Sequence, residues 1–166
     1  DFFLKDEDKV DLLGFPKEYI AFVIGGQHAT KILPNNKIIS IIKKEETPVL
    51  LIGGSEDAAR GVQIISQTEN TINTCGKYSL LESAFLIQQA QSVITHDTGM
   101  MHIAAAFKKK IYSVWGNTVP AFGMHPYKAD ENSKIIEVEG LNCRPCSKIG
   151  HDKCPKGHFK RMQEID

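Results

Sequence analysis

Residues 97–102, Asp-Thr-Gly-Met-Met-His, combine side chains that can bind an anionic ligand. A helix predicted to begin at Thr98 would present free backbone N–H groups and a partial positive charge, which suit a phosphate. Thr98 adds a hydroxyl, and Gly99 leaves room for a close approach. His102 lies four residues after Thr98, on the same helix face, where it can hydrogen-bond a phosphate or sugar oxygen. The run therefore predicts a phosphate site; the alternative is a helix capped by Asp97 with a semi-buried histidine.

Three further candidates follow other apolar runs of the chain. Lys31 can supply a counter-charge for a diphosphate, and Glu56 can accept hydrogen bonds from ribose hydroxyls. Tyr78 can flank a base. The structural alternatives are a surface lysine, stabilisation of a helix dipole by Glu56 and packing of Tyr78 against the next helix.

The candidates need a scaffold that brings them together, and the sequence indicates one. Strands are predicted at 19–24, 49–52, 71–74, 92–95 and 111–115, with a last edge strand at 134–138, and helices at 35–44, 56–67, 80–89 and 98–107. Ser55, Ser79 and Asp97 are the predicted N-caps, and Glu82 completes a capping box with Ser79.

Strands that are apolar throughout and separated by single helices predict a parallel sheet covered on both faces, a doubly wound α/β fold. In such a sheet ligands bind at the carboxyl ends of the strands. All seven candidate residues fall at that edge of the sheet.

Several function classes are excluded or disfavoured by the sequence. It has no G-x-G-x-x-G dinucleotide fingerprint, no G-x-x-x-x-G-K-[ST] loop and no G-x-S-x-G elbow. Lys+Arg and Asp+Glu both number 20, so no net charge favours nucleic acid as a partner. No apolar run approaches the ~18–20 residues that span a bilayer.

A Cys- and Lys-rich segment covers 141–166 and lacks periodic structure. Cys143 and Cys146 form a C-x2-C pair, and with Cys154 and His158 they have the residue types of a tetrahedral zinc site. His151 is an alternative fourth ligand. Reduced thiols or a Cys143–Cys146 disulfide are the competing interpretations. The basic side chains form a solvated loop or contact an anionic substrate or membrane surface.

The strongest sequence resemblance is carried by residues 93–106, which resemble the D-T-G-x-x-H-x-A-A-A signature of glycosyltransferase family 9, the heptosyltransferases of lipopolysaccharide core synthesis. Residues 31–34 resemble the family's K-x-W-P turn, with Leu33 in place of Trp. Residues 53–57 are similar to its G-x-x-x-E segment, and 115–120 to its G-x-T-x-P loop. The resemblance extends from about Tyr19 to the end. Some members carry a fourth cysteine after the Gly-His pair, near the place where Arg161 stands here.

The resemblance implies the C-terminal, Rossmann-like half of a GT-B fold. Residues 1–18 would be an interdomain linker remnant, 19–140 the nucleotide-sugar domain and 141–166 the Cys/Lys-rich segment. Lys31 and the Thr98/Gly99 backbone would hold the diphosphate. Glu56 would meet the ribose, and Tyr78 would lie near the base. Asp97 and His102 would face the sugar and phosphate.

The implied reaction is inverting transfer of heptose or a related sugar from an ADP-heptose-like donor to the lipopolysaccharide core, without an essential metal. The general base and the glycolipid acceptor site would belong to the N-terminal domain, so no catalytic residue is expected in this chain. The implied location is the cytoplasm, at the inner face of the inner membrane. Two alternatives are a noncatalytic α/β module with a partner- or zinc-binding tail, and another GT-B enzyme such as a sugar epimerase or phosphorylase.

Overall fold

The computed structural model describes residues 2–165 and confirms the predicted doubly wound parallel sheet. Six parallel strands lie in the order β3-β2-β1-β4-β5-β6. The strands are β1 Ile20–Val23, β2 Val49–Ile52, β3 Thr71–Asn73, β4 Ser92–His96, β5 Ile111–Trp115 and β6 Lys134–Glu137. The α-helices are α1 Asn35–Ile42, α2 Ala58–Ile65, α3 Leu80–Gln89, α4 Gly99–Ala106 and α5 Lys160–Gln163.

Each face of the sheet has its own core, because side chains alternate along the central strands. On β1, Phe22 joins a cluster with residues of α1 and α2, while Ala21 and Val23 join one with residues of α3 and α4. Every residue of β1 and β2 is buried. This explains why these strands read as continuous apolar runs in the sequence.

The direction in which the chain adds strands to the sheet reverses after β3. β2 and β3 lie on one side of β1, and β4, β5 and β6 lie on the other. β1 pairs in parallel with β2 on one side and with β4 on the other. The loops that leave β1 and β4 therefore diverge to opposite faces of the sheet and open a crevice between them. This switch point is the usual ligand site of an open α/β sheet.

Helix starts were predicted with mixed success. The capping box at Ser79 is confirmed: its backbone N–H donates to Glu82 Oε2 at 2.7 Å, and its Oγ accepts from the Glu82 N–H at 3.3 Å. The prediction of Ser55 as N-cap is wrong, since Ser55–Asp57 form a 3-10 turn and α2 begins at Ala58. There the buried Asp57 carboxylate accepts the Gly54 N–H at 3.1 Å and takes over the capping of the turn.

Asp97 was also predicted as an N-cap, and this is wrong as well. The N-cap of α4 is Thr98, which makes no side-chain capping bond. The Asp97 carboxylate is held by Lys31 and Thr118 instead.

The segment after β6 runs without helix or strand until α5, where Met162 and Ile165 return to the core. Val10, Leu12 and Phe15 of the predicted linker pack against the other cluster. Its outer end, Asp1, and the last tail residue, Asp166, lie outside the described residues. No helix between residues 2 and 165 has the length and apolarity needed to cross a bilayer.

Candidate functional site

Three loops meet at the carboxylate of Asp97. Its Oδ2 accepts the Lys31 ammonium at 2.7 Å and the Thr118 hydroxyl at 2.9 Å. The side chains of Lys31 and Asp97 are only 12% and 5% exposed. Lys31 follows β1, Asp97 follows β4 and Thr118 follows β5, so this contact ties together the loops on both sides of the crevice. Because an ammonium has three donors, Lys31 can bind an anion and keep its bond to Asp97.

The turn that carries Lys31, Ala29–Lys31, is fixed from two sides. The Thr30 hydroxyl donates to the His151 carbonyl at 2.7 Å and accepts the His151 N–H at 2.8 Å. Two residues past the turn, the Leu33 N–H donates to Nε2 of His96 at 2.9 Å. His151 of the Cys/Lys-rich tail (residues 141–166) and His96, the last residue of β4, thus both fix the position of Lys31.

His96 is a structural histidine beneath the site. Burial, with a smaller contribution from the nearby Arg60 guanidinium, lowers its pKa to about 3, and the neighbouring Gly25 backbone offsets this only in part. The ring is therefore neutral near neutral pH, which leaves Nε2 free to accept the Leu33 N–H.

A cavity of about 580 Å³ opens beside the N-terminus of α4. Its floor is mainly apolar or glycine, and Glu56 and Tyr78 line it together with Thr98 and Gly99. Glu56 is exposed and Tyr78 half-buried. The lining also includes Val23, Gly25, Gly26, Gln27, Ile52, Gly53, Gly54, Asp57, Leu80, Ser83, Met100 and Ile103. A flat ring with hydroxyl groups at one edge fits such a surface.

A second cavity, about 250 Å³, adjoins the first and is more polar. Its lining is Gln27, His28, Lys31, Asp97, Thr98, Gly99, His102 and Ile149. Gln27, Thr98 and Gly99 belong to both cavities, so the two meet at the start of α4. A Cβ placed on Gly99 would meet no atom within 4 Å, which shows open space in front of the helix N-terminus.

The structure therefore brings all seven predicted donor-binding residues to one continuous depression. Lys31, Asp97 and His102 line the small cavity, and Glu56 and Tyr78 the large one. Thr98 and Gly99 lie where the two meet.

Sequence reasoning gave no role to several residues at or beside this depression, of which four matter most for its polar part. Thr118 was placed in a strand-end loop but given no role, and Gln27 and His28 stand in the glycine-rich loop after β1. Their positions directly after strands were a usable signal. Ile149 enters from the aperiodic tail, and no pattern in the sequence indicated it.

The four predicted zinc ligands do not form one metal-binding group. Within residues 2–165, no group of three or more His, Cys, Asp or Glu side chains is arranged to hold a metal ion. The thiols of Cys146 and Cys154 both contact the Arg161 guanidinium. His158 is exposed, and its Nδ1 accepts the Lys160 N–H at 3.1 Å.

Comparison with known proteins agrees with the family resemblance of the sequence. The model of glycosyltransferase family 9 (heptosyltransferase) matches residues 4–156. Lipooligosaccharide heptosyltransferase 2 of Haemophilus influenzae is 30% identical over 142 residues, which cover 78% of this chain and 40% of that protein. The chain thus spans less than half the length of this curated relative.

Two solved structures share the fold. The E. coli ADP-heptose lps heptosyltransferase II has a TM-score of 0.66 at 20% identity, covering 89% of this chain and 46% of that one. The dodecameric iron-containing heptosyltransferase TibC, in complex with ADP-D-beta-D-heptose, has a TM-score of 0.62 at 15% identity, covering 91% and 42%. Both likenesses agree with the predicted Rossmann-like half of a GT-B fold.

Proposed function

Because the chain belongs to glycosyltransferase family 9, we propose that it binds a nucleotide-sugar donor, ADP-heptose or a close relative, at the N-terminus of α4. The observation that carries the proposal is the pair of adjoining cavities, one apolar and one polar, that share Thr98 and Gly99. A nucleoside diphosphate sugar has the same division, with a flat base at one end, a polar sugar at the other and two phosphates between.

The nucleoside belongs in the larger cavity. Tyr78 offers a ring face to the base, and the exposed Glu56 carboxylate can accept both ribose hydroxyls. Met100 and Ile103 of α4 contribute apolar lining to the same cavity. A carboxylate near the ribose also disfavours a phosphate there, so the diphosphate is directed towards α4.

The diphosphate belongs at the shared boundary. Backbone N–H groups at the start of α4 and the Lys31 ammonium both present positive charge to this point. The same groups stabilise the negative charge that develops on the leaving diphosphate when the sugar departs. Lys31 is prepositioned for this role by its bond to Asp97.

The sugar occupies the smaller cavity, where His102, His28 and Asp97 can hydrogen-bond its hydroxyls. The full protein then transfers this sugar to the lipopolysaccharide core with inversion. The base that activates the acceptor, and the glycolipid acceptor itself, belong to an N-terminal domain facing the crevice. The reaction takes place in the cytoplasm at the inner face of the membrane, and no nucleic acid takes part.

Calorimetry on the protein at its full natural length tests donor binding. We expect ADP and ADP-heptose to bind and GDP to bind more weakly. Asp97→Ala should weaken binding of ADP-heptose about tenfold or more, since it frees Lys31 from its position and removes a sugar contact. Glu69→Ala, at an exposed loop preceding β3, is the matched control and should bind like the wild type. Failure of both adenine nucleotides to bind would refute the proposal.

A noncatalytic binding module is the competing function. It predicts that nucleotides bind without turnover even when the acceptor is supplied. Release of ADP on mixing ADP-heptose with a truncated lipopolysaccharide core decides between the two, because only the transferase produces it.

A further inference from the structure

Arg161 is the least expected charged residue of the tail. It lies on α5 and is fully buried. Its Nη1 donates to Cys146 Sγ, and its Nη2 donates to Cys154 Sγ at 2.8 Å. None of the salt bridges in residues 2–165 involves Arg161. The two sulfur atoms are therefore the groups that meet its charge.

A buried guanidinium needs a counter-charge. Arginine does not lose its proton in proteins, and an unpaired buried charge is strongly unfavourable. A neutral thiol is a weak acceptor, whereas a thiolate is an anion. The charge of Arg161 is balanced when the two cysteines carry a thiolate between them.

In a metal site bound by cysteines, the metal ion is the cation that lies between the sulfur atoms. One structural neighbour of this chain, TibC, is described as iron-containing. Here the guanidinium contacts both sulfurs, and the described residues form no metal-binding group. The residues present do not fit a metal ion. We infer that Arg161 takes the place of a metal in this chain, and that a guanidinium–thiolate cluster of Arg161, Cys146 and Cys154 closes the tail.

The cluster has a structural task at the crevice. The Cys146 N–H donates to the Asn117 carbonyl at 3.0 Å, and Asn117 Nδ2 donates to Ser147 Oγ at 3.2 Å. Further along, His151 is bound to Thr30, and between these anchors Ile149 reaches the smaller cavity. The cluster therefore anchors the loop that forms one wall of that cavity, whatever ligand the cavity takes.

Cobalt titration of the full-length protein, reduced and freed of metal by a chelator, tests the inference. Co²⁺ bound by thiolates gives charge-transfer absorbance in the near ultraviolet and intense visible bands. We expect the wild type to show neither. Arg161→Cys removes the guanidinium and supplies another sulfur, and we expect it to gain both, with one Co²⁺ per chain.

The matched controls separate charge from sulfur. Arg161→Lys keeps a cation and should stay free of cobalt, while Arg161→Leu removes the cation without adding a ligand. Thiolate absorbance at neutral pH should be present in the wild type and lost in Arg161→Leu and in the Cys146→Ser/Cys154→Ser double variant. The wild-type measurements require no variant to fold.

Two results would overturn the inference. One is a wild-type protein that takes up one equivalent of Co²⁺ with thiolate bands, or that purifies with stoichiometric iron or zinc. The other is a wild-type protein without thiolate absorbance at neutral pH.

Discussion

Lys31 and Asp97 form a nearly buried ion pair, Nζ to Oδ2 2.7 Å, that joins the loops after β1 and β4 across the crevice. Thr118 adds a hydrogen bond to the same oxygen at 2.9 Å. The pair neutralises the carboxylate, so an anionic ligand would not meet an unpaired negative charge beside α4. It also determines the direction of Lys31 before any ligand arrives, which lowers the entropy lost on binding.

A double-mutant cycle should show that the pair is coupled. Asp97→Asn leaves the Lys31 charge buried without its partner, and we expect the free energy of unfolding to fall by about 2–3 kcal/mol. Lys31→Met should then cost less in the Asp97→Asn background than in the wild type. Urea denaturation of the four proteins measures this. Strictly additive effects would mean that the ion pair does not contribute. Thr118→Val is the control, with an expected loss of about 1 kcal/mol.

Gly99 should be required for the ligand and dispensable for the fold. A Cβ there meets no protein atom within 4 Å, and the position lies in the first turn of α4. Gly99→Val should therefore leave the melting temperature almost unchanged while weakening ADP binding about tenfold or more, because its side chain fills the space where a phosphate would approach the helix. Ala106→Ser, exposed at the other end of α4, is the control and should leave both unchanged. A Gly99→Val protein that binds ADP normally would place the diphosphate elsewhere.

The sequence predicted the sheet well because hydrophobic burial has a local signature. Continuous apolar runs such as Val49–Ile52 are typical of strands covered on both faces, and single helices between the runs favour parallel pairing of the strands. The strand ends then indicated the candidate site, since the carboxyl ends of parallel strands lie at one edge of the sheet. Lys31, Glu56 and Asp97 were selected by this rule.

Two of the errors concern partners that are distant in sequence. Asp97 has the residue type and position of an N-cap. Its carboxylate instead accepts a hydrogen bond from the charged ammonium of Lys31, which lies far away along the chain. Cys146 and Cys154 have the residue types of metal ligands, and the guanidinium between them comes from a helix that begins beyond the cysteines. Neither outcome has a local signal, because both depend on how the loops pack.

Arg60 should be a main contributor to stability under the crevice. Its guanidinium donates to the Ile24 carbonyl at 2.7 Å, to Asn35 Oδ1 at 2.6 Å and to the Leu33 carbonyl. Arg60→Met keeps much of the packing but leaves these acceptors unpaired, so we expect the free energy of unfolding to drop by about 2–4 kcal/mol. Arg60→Lys should lose less, since an ammonium can still reach some of them. Equal losses for both variants, measured by urea denaturation, would show that packing, not hydrogen bonding, is what matters.

The stability of this domain should fall in mild acid because of His96. The folded protein lowers the pKa of His96 from 6.5 to about 3, so the unfolded chain binds a proton more readily than the folded one. The neutral ring therefore makes its full contribution to the free energy of unfolding above pH 6.5. This contribution is lost as the pH falls towards 3, and the free energy of unfolding drops by up to about 1.4 kcal/mol per pH unit. His96→Gln keeps an acceptor for the Leu33 N–H and cannot titrate, so its stability should vary less over this range. Unfolding by urea at a series of pH values gives both curves. Parallel curves would show that protonation of His96 is not coupled to unfolding, and that the ring is accessible to protons in the folded state.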